Sequence, residues 1–488
     1  MNGPIRNMAT VMFLAFLVLV GGVTYTQAIN GPEFRDDARN ARLVTARAAR
    51  ERGTIITRDG TVVAESFPDL EDAQVFRRSY PEGDLYAHVV GYTTLIFGTR
   101  GLEASFASDL VTDRDATISG LLNAIVGGDL RPNGLRLTID HDLQVAAAEA
   151  LGARRGAVVA LDPRTGEILA IVSSPRFDPN TLAGRSAGPI GDALDDDPAM
   201  PLLDRALRET YPPGSSFKVL TAAAALESGT ASAATTYVDV AELTLPGSTA
   251  VIRNFDRGRC GEGAEVTLVE AFIRSCNTIF GRIGLEIGAE ALVGAAQDAG
   301  FNLEIPLELA TVASAIPPAS SFDNDLPGVA QTALGQRDVR ATPLQMVLVA
   351  AAVANGGEIM VPHLVLEVFN ADATVVERTE QEVWRRAMNP STAASITDLM
   401  EGVVTAGTGR RASVAGIRIA GKTGTAEVPG AAPHAWFIGF GPVEAAEGER
   451  QIAIAVVVES GGGAGESATG GTVAAPIAGI VLSAYLGR

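Results

Sequence analysis

Only two of the 38 cationic side chains in this 488-residue sequence are lysines, Lys218 and Lys422; the other 36 are arginines. Arginine keeps its proton at any accessible pH, whereas a lysine amine gives its proton up when it is desolvated or crowded by a second cation. In a chain that otherwise uses arginine for positive charge, these two lysines mark places where a proton has to come and go. Both fall in short patterns able to carry chemistry, Ser215-Ser216-Phe217-Lys218 and Lys422-Thr423-Gly424-Thr425.

Pro212-Pro213-Gly214 stops one segment and opens a helical run, so Ser215 sits at a helix start with Lys218 one turn later on the same face. That spacing brings an ε-amine within reach of the hydroxyl. A neutral amine there can take the Oγ proton, and free N–H groups at the helix start can hold a developing oxyanion. A capping serine followed by a solvated lysine gives the same pattern, so alone it is weak. Lys422, Thr423, Gly424 and Thr425 lie on a predicted strand. They read either as a strand-edge turn or as an ammonium and hydroxyls beside a carboxylate-bearing substrate, with Gly424 permitting close backbone approach. Between them, Ser275-Cys276-Asn277 offers a proton-relaying hydroxyl and an amide to grip substrate backbone, although S-x-N is also common at helix caps. A second cation beside Lys218, namely Lys422, would help to lower the amine's pKa. The order of the three patterns is far more specific than any member, and it points to serine acyl transfer with an amine as base.

The elements that must position these groups are legible in outline. Arg52-Gly53-Thr54-Ile55-Ile56 leading into Arg58-Asp59-Gly60 predicts a hairpin. Residues 156–161 and 167–173 predict another, joined by Asp162-Pro163-Arg164-Thr165-Gly166. Helical patterns cover 217–226, 266–287 and 342–354. Strands return at 417–425, 435–440 and 451–459, followed by Gly461-Gly462-Gly463 and a helix over about 473–486. Strands at both ends with helices between them predict an α+β domain whose antiparallel sheet is assembled from distant pieces.

Bulk properties narrow the classes. The length calls for two or three structural units, and 47% hydrophobic residues with 5% aromatics describe a packed globular chain. A net charge of −19 leaves no basic stripe for nucleic acid. His88, His141, His363 and His434 are scattered and form no metal cluster with the two cysteines, so neither a metal nor another cofactor is expected. Met8 to Tyr25 is uncharged, follows Arg6, and approaches the ~20 residues that cross a bilayer. It reads as an uncleaved anchor or as a signal peptide with a poor cleavage site at Thr26-Gln27-Ala28. Arg35, Arg39 and Arg42 offset Arg6 and weaken any orientation argument. Either way the remainder leaves the cytoplasm, where an even pair of cysteines suggests a bridge. Joining Cys260 to Cys276 would close a loop of about 16 residues, worth about 3 kcal/mol in the chain-entropy picture; two buried thiols are the alternative.

S-x-x-K, S-x-N and K-T-G in this order make the chain resemble the penicillin-recognising serine acyltransferases, and within them the class B penicillin-binding proteins of the actinobacterial A type. The likeness covers nearly the whole chain. Arg52-Gly53-Thr54-Ile55, Arg58-Asp59-Gly60 and Gly101-Leu102-Glu103 are similar to that family's non-catalytic module. Leu137-Thr138-Ile139-Asp140 and Leu143-Gln144 look like the lead-in to its catalytic domain, and Ala160-Leu161-Asp162-Pro163, Gly335-Gln336, Thr342-Pro343-Leu344-Gln345 and His434-Ala435-Trp436-Phe437 are similar to that domain. The resemblance implies an anchor over 1–30, a pedestal or dimerisation-like module over 31–150 and a transpeptidase domain over 151–488. It implies a plasma-membrane enzyme with a cytoplasmic N-terminus, which cross-links peptidoglycan stem peptides and is blocked by β-lactams. Ser215 would be the nucleophile, Lys218 the base, Ser275 the proton relay and Asn277 the holder of the acyl amide. Lys422, Thr423 and Thr425 would bind the terminal carboxylate, and the N–H groups of Ser215 and Thr425 would form the oxyanion hole. Stem peptides on lipid-linked precursor are the implied substrates, with a membrane glycan polymerase of the SEDS type as a possible partner, since about 120 residues before the catalytic domain leave no room for a polymerase. A D,D-carboxypeptidase, a β-lactamase or a β-lactam sensor are the competing readings. One departure stands out: Arg337 occupies a place where the family has glycine, which puts a positive-φ turn there in question.

Overall fold

The structure, a computed structural model, describes residues 2–28, 50–69, 75–94, 96–111, 131–183, 187–446 and 448–487. Arg35, Arg39 and Arg42 lie outside the described residues. The first element is the helix Asn2–Ala28. Its segment Gly3–Thr26 has a mean hydropathy of 2.1 over its most apolar stretch and is not buried against the rest of the protein. At about 1.5 Å per residue it is about 36 Å long, enough for a bilayer's hydrocarbon core. The helix fits a single-pass membrane protein.

The described residues between 50 and 140 are organised around a six-stranded sheet in the order 375–378, 365–369, 134–137, 55–56, 62–68, 76–79. The predicted hairpin at Arg58-Asp59-Gly60 is present, with Gly60 at φ +93° and Ile55 opposite Ala64. Two strands arrive from much later in the chain. Val368 pairs with Leu135 and Phe369 with Gly134, and a carbon added to Gly134 would lie 2.4 Å from the Phe369 ring. The sheet therefore crosses any division of the chain near residue 150. Glu103 is fully buried beneath it. Its carboxylate accepts from Arg52 Nε at 2.7 Å and Arg78 Nε at 2.6 Å, which joins the Arg52 and Glu103 segments quoted above.

The second sheet is antiparallel throughout, in the order 420–428, 431–441, 452–458, 156–161, 168–174. Its central strands are continuous apolar runs because both faces are covered. Ala157, Val159 and Leu161 enter one core, shared with the helix Pro343–Ala354. Val158 and Ala160 enter a second core, under the helices His141–Leu151 and Ala475–Leu486. Successive side chains of a strand point to opposite faces, so one strand serves two cores and is held rigidly between them.

The single helix expected over 266–287 is not what the chain forms. A strand Glu265–Thr267 precedes a helix Leu268–Arg274, and a second helix starts at Asn277. Thr267 caps the first by accepting from Glu270 N–H. Ser275, in the left-handed conformation at φ 62° and ψ 43°, ends it, and Cys276 at ψ 119° redirects the chain. Hydrophobic periodicity continued across this break and concealed it.

Replacing Glu103 by alanine strips the Arg52 and Arg78 guanidinium groups of a shared buried partner. We expect Glu103→Ala to lose about 3–5 kcal/mol of stability in the unit containing this sheet, measured by chemical denaturation; a loss below about 1 kcal/mol would contradict the role given to this carboxylate.

Candidate active site

Three backbone features converge on the Ser215 turn. Gly214 adopts φ +54°, and its N–H donates to Gly335 O at 2.9 Å. Trp436 Nε1 donates to Pro212 O at 3.0 Å, fastening the turn to the sheet. The edge strand Ala420–Val428 closes the third side: a carbon built on Gly424 would lie 2.7 Å from Pro213 O and 3.1 Å from Ser216 N. The close approach that this glycine permits is here one between the strand and the protein's own Ser215 turn. A 3-10 turn, Gly214–Phe217, then runs into the helix Lys218–Glu227, leaving Ser215 half-buried and Lys218 completely buried.

The break at Ser275 brings in the second group. The helix Asn277–Asp298 has no side-chain cap of its own at Cys276. Asn254, from a distant loop, supplies one: its Oδ1 accepts from the N–H groups of Asn277 at 2.8 Å and Thr278 at 3.1 Å. Cys276 is bonded to Cys260 as a disulfide, with Cα atoms 5.7 Å apart, and Asp239 accepts from Cys260 N–H at 2.9 Å. The bend carrying Ser275 and Asn277 is thus tied down from both sides.

Lys218 Nζ donates to Ser275 O at 2.8 Å and Asn277 Oδ1 at 2.8 Å, and approaches Ser275 Oγ at 3.4 Å. Lys422, also fully buried, donates to Ser275 Oγ at 2.8 Å and Thr423 O at 3.0 Å. The Ser275 hydroxyl therefore stands between two amines. Burial pushes the Lys218 pKa well below its ordinary value, and the neighbouring Lys422 pushes it further the same way. Burial alone brings Lys422 down to about 7. Among the described residues Lys218 has no hydrogen bond to Ser215; its three N–H donors are directed at Ser275 and Asn277. Loss of one proton frees a lone pair, the state in which the amine can accept from Ser215. Asn277 is also engaged within the protein, its Nδ2 donating to Arg253 O at 2.9 Å, so only part of its amide is left for a substrate.

In front of the two amines lies an open cleft of about 2010 Å³ lined by Ser215, Ser275, Asn277, Thr423 and Thr425. That exceeds the range of roughly 300–1,000 Å³ usual for small-molecule sites and suits a peptide. Sequence reasoning missed Asn254 and Thr408. The Thr408 hydroxyl is 2.6 Å from that of Thr423, and its placement between Gly407 and Gly409 was the available hint. Arg337 does adopt a positive φ, +65°. The position needs a glycine-like turn, and arginine fills it at a cost of about 1–2 kcal/mol, secured by ion pairs to Asp325 at 2.6 Å and Asp338 at 3.5 Å. Among the described residues no group of His, Cys, Asp and Glu is placed to hold a metal.

A serine at a helix start, a buried lysine one turn on, and a second serine and lysine meeting it define a penicillin-recognising acyltransferase site. The comparisons agree: residues 156–483 match the penicillin binding protein transpeptidase domain and residues 52–134 the penicillin binding protein A dimerisation domain. The chain belongs to the class B penicillin-binding proteins. It is 40% identical over its whole length, and 99% of the relative's, to the peptidoglycan D,D-transpeptidase PbpA of Mycolicibacterium smegmatis, and 37% identical over the same shares to that of Mycobacterium tuberculosis. The solved ceftriaxone acyl-enzyme complex of penicillin-binding protein A from M. tuberculosis superposes with a TM-score of 0.84 at 38% identity, covering 91% of this chain and 100% of that one. A chain from a peptidoglycan synthase complex shares the fold, with a TM-score of 0.72 at 24% identity.

A neighbouring cation disfavours protonated Lys218, so removing it raises the Lys218 pKa toward the ordinary value. In Lys422→Met the acidic limb of the penicillin acylation rate should therefore move to higher pH, whatever the loss in absolute rate. A limb that stays in place in the pH–rate profile would mean that the second amine does not act on the first.

Proposed function

We propose the following course for a peptidoglycan D,D-transpeptidase built on this site. Ser215 Oγ attacks the carbonyl carbon of the penultimate D-Ala of a stem peptide while Lys218, neutral at that moment, takes the hydroxyl proton. The N–H groups of Ser215 and Thr425 hold the oxyanion that forms. The C–N bond then breaks, the departing D-Ala nitrogen receives a proton through Ser275, and an ester on Ser215 remains. Lys422, Thr423 and Thr425 orient the terminal carboxylate before this step, and Asn277 holds the acyl amide. In the second half, an amine of a neighbouring stem peptide attacks the ester, passes a proton back along the same relay and restores the Ser215 hydroxyl. One amide is exchanged for another, so no external energy source is required. β-Lactams enter as substrate mimics and stop at the ester.

The observation carrying this reading is the convergence of two buried amines on Ser275, directly behind a cleft that contains Ser215. The division into residues 1–30, 31–150 and 151–488 as anchor, supporting module and catalytic domain is supported by the two family matches and the apolar helix. We place the N-terminus in the cytoplasm, the helix in the plasma membrane and the catalytic domain outside, where an oxidising milieu suits the Cys260–Cys276 bridge. A membrane polymerase of the SEDS type is the partner we expect for this transpeptidase.

The deciding experiment incubates the protein with a D-Ala-D-Ala stem peptide and an amine acceptor. We expect cross-linked dimer in excess of hydrolysed peptide, abolished by Ser215→Ala. Hydrolysis alone would make the protein a D,D-carboxypeptidase, and activity surviving in Ser215→Ala would remove the nucleophile. Lys218→Arg keeps the charge but cannot release the proton; its acylation by fluorescent penicillin should slow by at least about 100-fold, and a rate equal to wild type would rule out an amine base.

A further inference from the structure

Two groups in the cleft retain hydrogen-bonding capacity that the protein does not use. His434 lies on the strand Ala431–Gly441 opposite Ala426, and both it and Arg340 line the cleft. The Ser460 N–H donates to His434 Nδ1 at 3.1 Å. A backbone N–H only donates, so Nδ1 is an acceptor and the neutral ring carries its proton on Nε2. Among the described residues Nε2 has no hydrogen-bond partner. The ring is held edge-on to Tyr211, with centroids 5.3 Å apart. Tyr211 is fixed in turn by donating to Glu459 at 2.8 Å. Burial lowers the His434 pKa; the Glu459 carboxylate opposes this, and the nearby Arg340 cation adds a smaller lowering. The Glu459 carboxylate is already engaged by Arg155 at 2.9 Å and Arg205 at 2.7 Å.

Arg340 is half-buried. Its Nη1 donates to the carbonyls of Arg337 at 2.7 Å and Val339 at 3.0 Å. Its neighbour Arg337 is paired with Asp325 and Asp338, whereas no carboxylate pairs with Arg340 among the described residues. Glu427, the acid nearest to His434 along the adjoining strand, is not among the groups that shift His434. A fixed neutral N–H donor beside an unneutralised guanidinium is complementary to an anionic acceptor, and in a planar carboxylate it meets two oxygens.

We propose that His434 and Arg340 form a second carboxylate-binding station, separate from the Thr423 and Thr425 wall, which takes a free internal carboxylate of the stem peptide. The proposal rests on the transpeptidase reading and adds a specificity to it: peptides whose internal carboxylates are amidated are poorer substrates. The test uses two synthetic pentapeptides ending in D-Ala-D-Ala that differ only in whether their internal carboxylates are free or amidated. For the full-length protein, kcat/KM should favour the free acid by about tenfold or more, the range of one charge-assisted hydrogen bond. Arg340→Gln and His434→Ala should erase that ratio mainly through KM, and His434→Gln, which keeps an N–H donor, should restore part of it. A wild-type ratio near one, or an equal loss for both peptides in Arg340→Gln, overturns the station and leaves Arg340 as a support of the Arg337 turn. Penicillin labelling run alongside separates the two levels: labelling without discrimination sinks the station alone, whereas absence of acylation by penicillin and peptide alike sinks the transpeptidase reading beneath it.

Discussion

The site depends on two amines buried without a carboxylate. Elsewhere among the described residues the fully or nearly buried arginines are paired with carboxylates. Arg205 is fully enclosed and paired with Glu459, and Arg78 is nearly so and paired with Glu103. Lys218 and Lys422 are equally inaccessible, yet their partners are carbonyls, an amide and a hydroxyl, with the Phe280 and Phe272 rings at 5.3 and 5.7 Å. A neighbouring carboxylate would hold each proton in place. Leaving it out makes the charged forms costly and the neutral forms accessible, which a general base requires. Arginine cannot respond in this way, so only these two positions depart from the chain's preference for it.

That arrangement opposes folding, and the sign can be worked out. For a lysine whose folded pKa lies below its unfolded value, the unfolded chain binds more protons between the two, so stability rises with pH across that window. For Lys422 the window runs from about 7 up to the ordinary 10.5, and the Lys218 contribution has the same sign. At neutral pH and below, the site subtracts from stability. The compensation lies in the surrounding frame: a sheet enclosed on both faces, a disulfide beside Ser275, an Asn254 cap and the close contact at Gly424. The left-handed residues Ser275 and Arg337 persist because this frame over-determines them.

How much of this the chain announced depends on the range of the interaction. Ser215, Lys218, Ser275, Asn277 and Lys422 were visible because each belongs to a short pattern whose chemistry is local. The 156–174 hairpin was visible because its turn residues lie between apolar runs. What stayed hidden was set by partners far away in sequence. Residues 365–369 look like any strand, and nothing local says that they complete a sheet with Gly134 and Leu135. The helix break at Ser275 was masked by apolar spacing that fits a continuous helix, and its cause, a left-handed residue followed by a bridged cysteine, is a matter of tertiary geometry. Asn254 and Thr408 act on motif residues from outside the motifs; the flanking Gly407 and Gly409 hint at Thr408, and nothing local points to Asn254.

The position of Ser275 explains why two amines serve better than one. On the proposed course, acylation moves a proton from Ser215 inward and then outward to a departing nitrogen, and deacylation runs the same path in reverse with an arriving nitrogen. A single base would have to face both the nucleophile and the leaving group. Here a hydroxyl that is 2.8 Å from Lys422 and 3.4 Å from Lys218 can accept from one amine while donating onward, so the relay we propose needs neither lysine to leave its socket. Burial lowers both amines, and the second cation beside Lys218 adds to its lowering, which brings the neutral, proton-accepting form of the base within reach.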